Sequence, residues 1–458
     1  MKRQATYDMT HGRPLTLLLG FTIPLLIGNL FQQFYNMVDS IVVGQYVGSN
    51  ALASVGAAGS INFLFFSLSQ GLSIGIGVIV SQYYGAKDIK YLQKTIANTI
   101  WLLTVVSLLT GILGAVLARP IMHLLKTPEE IIDGSVIYMQ VSCLGLIAVA
   151  AYNGISSILR ALGDSKTPLL FLIVACVLNV ILDLLFVIVF QWGVFGVAFA
   201  TIIAQIVAAC GCIFYAWTRI SYFHMPKEYF RPDCSLIRQC CNIGIPVALQ
   251  NAMIALSCVV LQRVVNSFGA VVVAAFTANG RFEQLIHQPF GSLGAAMATF
   301  TGQNIGAGNL SRVKKGYHSA TLICLAFSLF MIPVSFFGGA AIMKIFVSDP
   351  EVIRIGAQGI RITGFFYFPL GMIYVTRNLL NGAGDANYAM INGFMEVVGR
   401  VGLAKPLTMI PFIGMWGIWW TTALTWTLTA IVSFFRYLGG KWQHMSVVQT
   451  SQTKSNES

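Results

Sequence analysis

Long apolar stretches separated by short polar turns run along the whole chain. Each stretch holds about 20 residues or more, enough for a helix to cross the roughly 30 Å hydrocarbon core of a bilayer. The pattern therefore predicts an all-α polytopic membrane protein with twelve transmembrane helices. We place these helices at residues 15–43, 52–80, 95–118, 135–159, 168–190, 194–217, 243–265, 271–301, 317–339, 357–380, 388–410 and 416–438.

Short motifs occur twice along the chain, 221–222 residues apart. The segment around Pro24 recurs around Pro246, and Gly163-Asp164 recurs as Gly384-Asp385. Six helices in each half would give the two copies one orientation, the parallel-repeat arrangement known in secondary transporters. We expect each proline to permit a bend in its helix and each Gly-Asp turn to end one helix before the next begins.

The repeat suggests a division into two lobes. We predict a first lobe with helices 1–6 over residues 1–218 and a second lobe with helices 7–12 over residues 243–440. The polar stretch 219–242 between them is predicted to be a cytoplasmic linker, and residues 441–458 a disordered cytoplasmic tail.

Composition agrees with a membrane protein. The chain is 56% hydrophobic and only 10% charged, with a mean hydropathy of +0.74, whereas soluble domains carry about 25% charged residues. No P-loop or H-E-x-x-H motif occurs, and the nine cysteines form no C-x-x-C pair. We therefore expect a protein that is not an enzyme and needs no cofactor.

The net charge of +12 does not indicate a nucleic-acid partner, because the basic residues fall on one side of the predicted spans. Loops on that side hold most of the Lys and Arg, and the opposite loops are diluted by acidic residues. This bias predicts that both termini lie in the cytoplasm. We expect a multi-pass protein of the plasma membrane. The basic residues assigned to the cytoplasmic side include Lys87, Lys90, Lys94, Arg160, Lys166, Arg219, Lys227, Arg231, Arg238, Arg312, Lys314 and Lys315.

Carboxylates inside membrane spans mark the candidate chemistry, because such groups are costly unless they face water, a partner or a cation. Asp39 lies late in the first span, and Asn179 and Asp183 lie four residues apart on the fifth. Thr201 of the sixth span is expected at a similar depth. These four residues could bind H⁺ or Na⁺, Asp39 and Asp183 serving as metal ligands in the sodium case, since both ions use the same oxygens. The alternative is that these carboxylates have only a structural role and cap neighbouring groups.

The second half carries its own ionisable residues at membrane depth. Arg281 and Glu283 lie in the eighth span, and Glu396 and Arg400 are spaced i, i+4 in the eleventh. A structural ion pair and a cavity-lining role are both open for the latter pair. Glu283 could belong to a second cation or substrate site, or could only partner an arginine. His287 is interpreted as a packing residue.

The motifs together resemble the MATE family, the multidrug and toxic-compound extrusion transporters. The resemblance rests on Pro24 and Asp39, on Gln82-Tyr83-Tyr84-Gly85-Ala86, on Arg160-Ala161-Leu162-Gly163-Asp164 and on their second-half copies. It implies two six-helix lobes of the MATE/MOP type that export cationic, often aromatic compounds in exchange for H⁺ or Na⁺ by alternating access.

The resemblance also implies roles for individual residues. A branch that resembles DNA-damage-inducible transporters uses two Asp, an Asn and a Thr, which correspond to Asp39, Asp183, Asn179 and Thr201, and a first-helix proline for bending, which corresponds to Pro24. Another branch has a Glu in the seventh span and an Asp in the tenth. This chain has Gln250 and Asn251 in the seventh span and no acid in the tenth, which favours the first lobe. The candidates for the substrate cavity are Tyr35, Asn36, Asn153, Arg281, Glu283, Glu396 and Arg400.

The alternative is a related flippase for lipid-linked oligosaccharides, for which Arg281, Arg361, Arg377, Arg400 and Lys405 could hold a pyrophosphate. We expect a monomer with small organic cations and membrane lipids as partners, and no nucleic acid.

Overall fold

The computed structural model describes residues 8–448, and these residues fold into α-helices joined by short turns. The ten C-terminal residues of the predicted tail, and both chain termini, lie outside the described residues. The helices are α1 (Pro14–Val42), α2 (Ser49–Gly85), α3 (Ile89–Leu124), α4 (Glu129–Leu144), α5 (Leu146–Ala161), α6 (Lys166–Leu184), α7 (Gly193–Arg219), α8 (Cys234–Asn266), α9 (Ala270–Gly306), α10 (Leu310–Phe346), α11 (Pro350–Gly364), α12 (Tyr367–Ala383), α13 (Asn387–Met409) and α14 (Gly417–Leu438).

The predicted fold class is confirmed, with α4–α5 and α11–α12 each taking the place of one predicted span. Within the described residues, eight helices are long and apolar enough to cross a membrane, and nine if the bent pair α4–α5 counts as one span. Helices α9 and α13 fall outside this set although they match predicted spans. They carry the polar residues, Glu283 and His287 on α9 and Glu396 and Arg400 on α13, that lower their hydropathy.

A break in the fourth span was not predicted. Helices α4 and α5 meet at an angle of 45° around Gly145. A Cβ atom at this glycine would lie 2.3 Å from Cγ1 of Ile202 on α7. The break therefore allows α7 to approach more closely than any side chain at position 145 would permit.

Residues of the chain group into two compact units. The first contains Ile23–Ala248, and the second contains Met9–Thr22 together with residues 249–448. The predicted lobe boundaries at residues 218 and 243 stay predictions. Residues 220–233, most of the predicted linker, pack on α3, where Trp101 Nε1 donates to the Phe230 carbonyl at 2.6 Å and the Asp233 amide donates to Asn98 Oδ1 at 2.7 Å.

Small residues bring backbones together within the first unit. A Cβ atom at Gly71 on α2 would lie 2.6 Å from the carbonyl oxygen of Gly244 on α8, and one at Gly75 would lie 2.7 Å from that of Cys240. Association of helices in lipid depends on such close packing, because apolar surface alone gains little there.

The Gly-Asp turns organise helix ends, as expected. Gly163 and Gly384 have φ values of +91° and +95°, which favour glycine. Asp164 accepts hydrogen bonds from the amides of Lys166 and Thr167, both at 3.0 Å, and so caps the start of α6. Its counterpart Asp385 instead pairs with Arg436 of α14 at 2.7 Å.

The last turn of two helices in the first unit is π-helical. Residues Val43–Val47 extend α1 just beyond Asp39, and Leu185–Val189 extend α6 just beyond Asp183. Val42, Val43, Val187 and Val197 form one buried apolar cluster there. Widened turns of this kind often lie beside functional sites, and here both follow the candidate carboxylates.

Candidate functional site

Three helices of the first unit each contribute a polar pair spaced i, i+4, which places both members on one helix face. The pairs are Tyr35 and Asp39 on α1, Asn179 and Asp183 on α6, and Thr201 and Gln205 on α7. The structure therefore gathers all four residues predicted to handle the coupling ion into one unit.

Direct contacts join the three helices. The carboxyl groups of Asp39 and Asp183 lie next to each other. Asn179 Nδ2 lies 3.5 Å from Thr201 Oγ1, a long and weak hydrogen bond, and Thr201 Oγ1 donates to the Val197 carbonyl at 3.1 Å. The two acids on separate helices thus form a pair, with an amide and a hydroxyl beside them.

Asp183 is buried and Asp39 is half-buried, and both carboxyl groups are poorly satisfied. Asp183 is 0% exposed and Asn179 is 1% exposed. Both Asp183 oxygens, Asp39 Oδ1 and Asn179 Oδ1 are buried and accept no hydrogen bond within residues 8–448. Neither aspartate forms an ion pair in that part of the chain. Buried acceptors without donors are expensive, so this arrangement favours a bound proton or cation.

A small cavity adjoins the site. It is lined by Tyr35, Leu172, Ala175, Cys176, Asn179, Thr201, Ala204 and Gln205. Polar oxygens from all three helices therefore border one space, although most of the remaining wall is apolar.

Two site residues were missed by the sequence reasoning. Gln205 lines the cavity, and its Oε1 is buried without a hydrogen-bond partner among the described residues. Its position four residues after Thr201 could have identified it. Tyr138 of α4 lies within electrostatic range of both aspartates, but the sequence offers no signal that separates it from packing aromatics.

The chemistry of the donor set suits a proton or Na⁺. No cluster of three or more His, Cys, Asp or Glu side chains able to hold a metal occurs between residues 8 and 448. A sodium ion would therefore have to take two carboxylates together with the amide and hydroxyl oxygens, and hard cations prefer such oxygen ligands.

The MatE family model matches two segments, residues 24–185 and 246–404. The chain belongs to the MatE family. The segments begin at Pro24 and Pro246, the two prolines of the predicted repeat. The protein is therefore a multi-pass membrane transporter of a drug-efflux family and not an enzyme.

Individual relatives agree with the MatE assignment. The chain is 31% identical over 444 residues to a protein of Bacillus subtilis (strain 168) named probable multidrug resistance protein YpnP, over 96% of this chain and 98% of that one. It is 25% identical over 378 residues to a protein of Shewanella oneidensis named FAD transporter, over 80% of this chain and 81% of that one. A solved MOP superfamily transporter from Pyrococcus furiosus has a TM-score of 0.88 at 21% identity, over 97% of both chains.

In this MatE transporter, the second unit has an ion pair at the position that corresponds to the first-unit site. The repeat aligns Arg400 with Asn179 and Ser257 with Tyr35. Arg400 Nη1 lies 3.1 Å from Glu396 Oε2 and donates to Ser257 Oγ at 2.5 Å, and both charged side chains are less than 10% exposed. The second unit thus holds a built-in cation where the first unit has two unpaired acids.

The other second-unit candidates are not members of this ion pair. Glu283 lies beside Thr363 and within electrostatic range of Arg400. His287 Nδ1 lies 2.9 Å from the Tyr374 hydroxyl, so its interpretation as a packing residue omits a polar contact. Arg281 is exposed on α9.

Of the remaining first-unit candidates, one lines the cavity and two do not. Tyr35 lines the cavity, whereas Asn36 is exposed and Asn153 is half-buried, and neither belongs to the cavity wall.

Proposed function

We propose that this MatE transporter exports small, often aromatic organic cations in exchange for H⁺ or Na⁺, by alternating access of its two lobes. Asp39 and Asp183 are the coupling carboxylates, and Asn179 and Thr201 complete the ion site. The observation that supports this proposal is that the two carboxyl groups are adjacent and that three of their oxygens are buried and unsatisfied by the described residues.

The electrostatics of this pair explain how an ion could drive transport. Two carboxylates in one buried site repel each other, and no arginine or lysine of the described chain pairs with them. Binding a cation relieves this repulsion. If the ion binds one conformation better than the other, its gradient biases the conformational equilibrium, and the substrate is coupled through the same equilibrium.

Conformational change would need a helix that carries a site residue and can bend. Pro24 lies inside α1, fifteen residues before Asp39, and removes one backbone hydrogen bond from that helix. We assign to Pro24 the bending of α1, and the π-helical turns beyond both aspartates offer a second adjustable segment.

The substrate class rests on the family and on the candidate residues. Drug-efflux names among the relatives support small organic compounds, and the FAD transporter of Shewanella oneidensis supports a wider range than cations alone. Tyr35, Asn36, Asn153, Arg281 and Glu283 remain our substrate-cavity candidates. Glu396 and Arg400 neutralise each other, which supports their structural alternative. The relatives do not favour the flippase.

Neutralising the acids tests the coupling site. Asp39→Asn and Asp183→Asn should each lower gradient-driven export of a fluorescent organic cation by about tenfold or more, since a contact to a charged group contributes about 1.5–3 kcal/mol. Asp133→Asn is the matched control, because Asp133 pairs with Arg119 on an exposed surface. Export by the double variant at the wild-type rate would refute the site.

The coupling ion can be assigned with purified protein in proteoliposomes. A pH gradient without Na⁺, and then a Na⁺ gradient at equal pH, should each be imposed on the same preparation. Export under one gradient alone identifies the ion, and export that neither gradient accelerates would refute antiport.

Reporter fusions at either end would test the proposed cytoplasmic termini. Cell fractionation would test the proposed plasma-membrane location.

A further inference from the structure

The short segment before α1 is held by side chains of the second unit. The Met9 amide donates to Gln303 Oε1 at 2.8 Å. The Met9 carbonyl accepts from Asn304 Nδ2 and from both Nε and Nη2 of Arg312, each at 3.2 Å. Met9 is 1% exposed. Side chains therefore satisfy both backbone polar groups of this buried residue, and one of them is a charged donor, which makes the stronger kind of hydrogen bond.

We name Gln303, Asn304 and Arg312 the Met9 seat. The first two lie at the end of α9 and the third at the start of α10. Asn304 Nδ2 also donates to the Phe300 carbonyl at 2.8 Å, and the Arg312 guanidinium lies 5.5 Å from the centroid of the Phe300 ring. These contacts within the second unit restrict the side chains of the seat, so less rotamer entropy is lost when they bind the segment.

The held segment leads directly into α1. Gly12 makes the turn between Met9 and the helix with a φ of +88°, a conformation that favours glycine. Leu18 and Phe21, in the first turns of α1, are buried. The start of α1 is therefore packed as well as hydrogen-bonded at its end.

The helix α1 is shared by the two compact units. Residues Met9–Thr22 group with the second unit, and the helix from Ile23 onward groups with the first. Pro24 lies immediately after this change, and Asp39 lies further along the same helix. One continuous helix therefore joins the Met9 seat to a carboxylate of the proposed ion site.

The repeat carries a similar docked segment before α8. Phe230 lies 221 residues after Met9, the spacing of the repeat. Its carbonyl accepts from Trp101 Nε1 of α3 at 2.6 Å, and the nearby Asp233 amide donates to Asn98 Oδ1. The start of α8 groups with the first unit and its end with the second. Both helices that carry a repeat proline thus begin as a docked part of one unit and end in the other.

We infer that the Met9 seat is an anchor that keeps the start of α1 a fixed part of the second unit, with Arg312 as a positioning residue for ion coupling. A change in the ion bound at Asp39 then reaches the second unit through α1. Without the anchor, the start of α1 is free to move, and ion binding no longer biases the conformation of the second unit. This inference rests on the proposed export function and adds the place at which the second unit holds the coupling helix.

Hydrogen–deuterium exchange of the full chain in nanodiscs measures the docking itself. Arg312→Gln removes two donors to the Met9 carbonyl and should speed exchange in the peptic fragment that contains Met9 about tenfold, because hydrogen bonds to a charged group are lost. Arg312→Lys should retain part of the protection because it keeps the charge. Lys315→Gln removes the same charge from an exposed position of α10 and is the matched control. Addition of the coupling ion or of a transported dye should change the wild-type exchange of this fragment less than about twofold, since an anchor stays docked.

Transport assays separate the anchor from a merely structural contact. Arg312→Gln should slow gradient-driven export of a fluorescent organic cation at least about fivefold. Equilibrium uptake of H⁺ or Na⁺ by the purified protein should stay within about twofold of wild type, because the ion site lies in the first unit. Gly12→Val strains the turn after Met9 without altering the seat and should give the same split. Gly20→Val has open space within 4 Å and should export as the wild type does.

Four results would overturn the anchor and leave the proposed function standing. They are unchanged exchange in Arg312→Gln, wild-type export by a variant whose Met9 fragment has been released, an equal loss of export and ion uptake, and exchange in the wild type that speeds up when ion or dye is added. The last result would make the segment a strap that releases during each cycle. A wild-type protein that exports no dye under either gradient would instead count against the proposed function, whatever the exchange of the Met9 fragment shows.

Discussion

A guanidinium introduced beside the aspartate pair should prevent the first unit from binding a coupling ion. Asn179→Arg introduces a cation at the position that the repeat aligns with Arg400. Asp183 is four residues later on the same helix, and in the second unit the i, i+4 pair Glu396 and Arg400 closes to 3.1 Å.

The expected magnitude follows from Coulomb's law. A pair of opposite charges 4 Å apart interacts by about 4 kcal/mol at an effective dielectric constant of about 20. At about 1.4 kcal/mol per tenfold change, the internal cation should weaken binding of an external one about 1,000-fold. Gradient-driven export should then fall to background, although the protein should still fold because the buried charges are neutralised.

Proteoliposomes with an imposed pH or Na⁺ gradient provide the assay, with thermal unfolding in detergent as the check on folding. Asn179→Gln lengthens the side chain without adding charge and should keep most of the coupling. If Asn179→Arg folds and still exports substrate at a rate that follows the ion gradient, the aspartate pair is not the coupling site.

Three further changes test the packing around the sites. Arg400→Gln leaves Glu396 buried without its partner and should cost about 3–5 kcal/mol of unfolding free energy, seen as a lower thermal midpoint. Glu396→Gln in the same chain should restore most of that loss, and a double variant as unstable as the single one would contradict this account. Gly75→Val places a Cβ atom 2.7 Å from backbone atoms of α8 and should reduce the folded yield, whereas Gly56→Val has open space within 4 Å and should not. Asp164→Ala removes the cap of α6 and should cost about 1 kcal/mol, with an unchanged thermal midpoint as the refuting result.

Much of the site could be predicted because membrane depth is readable from position along a helix. Counting residues at 1.5 Å each predicts similar depths for Asp183 and Thr201, and the direction of its span places Asp39 in the same half of the membrane. The structure brings these residues and Asn179 into one unit. Gln205 and Tyr138 were not predicted, because a glutamine or tyrosine in a span carries no charge that demands an explanation.

The amino-acid sequence alone determined the membrane class, the twelve spans, the duplicated halves and the few ionisable residues at depth. These properties follow from apolar length, motif spacing and the cost of charge in lipid, which are all local or periodic. Tertiary structure decided that Asp39 meets Asp183, that Arg400 is neutralised, and that α4 and α5 break at Gly145. Which side chains meet depends on the rotation and close approach of separate helices, and only the packed backbone specifies these.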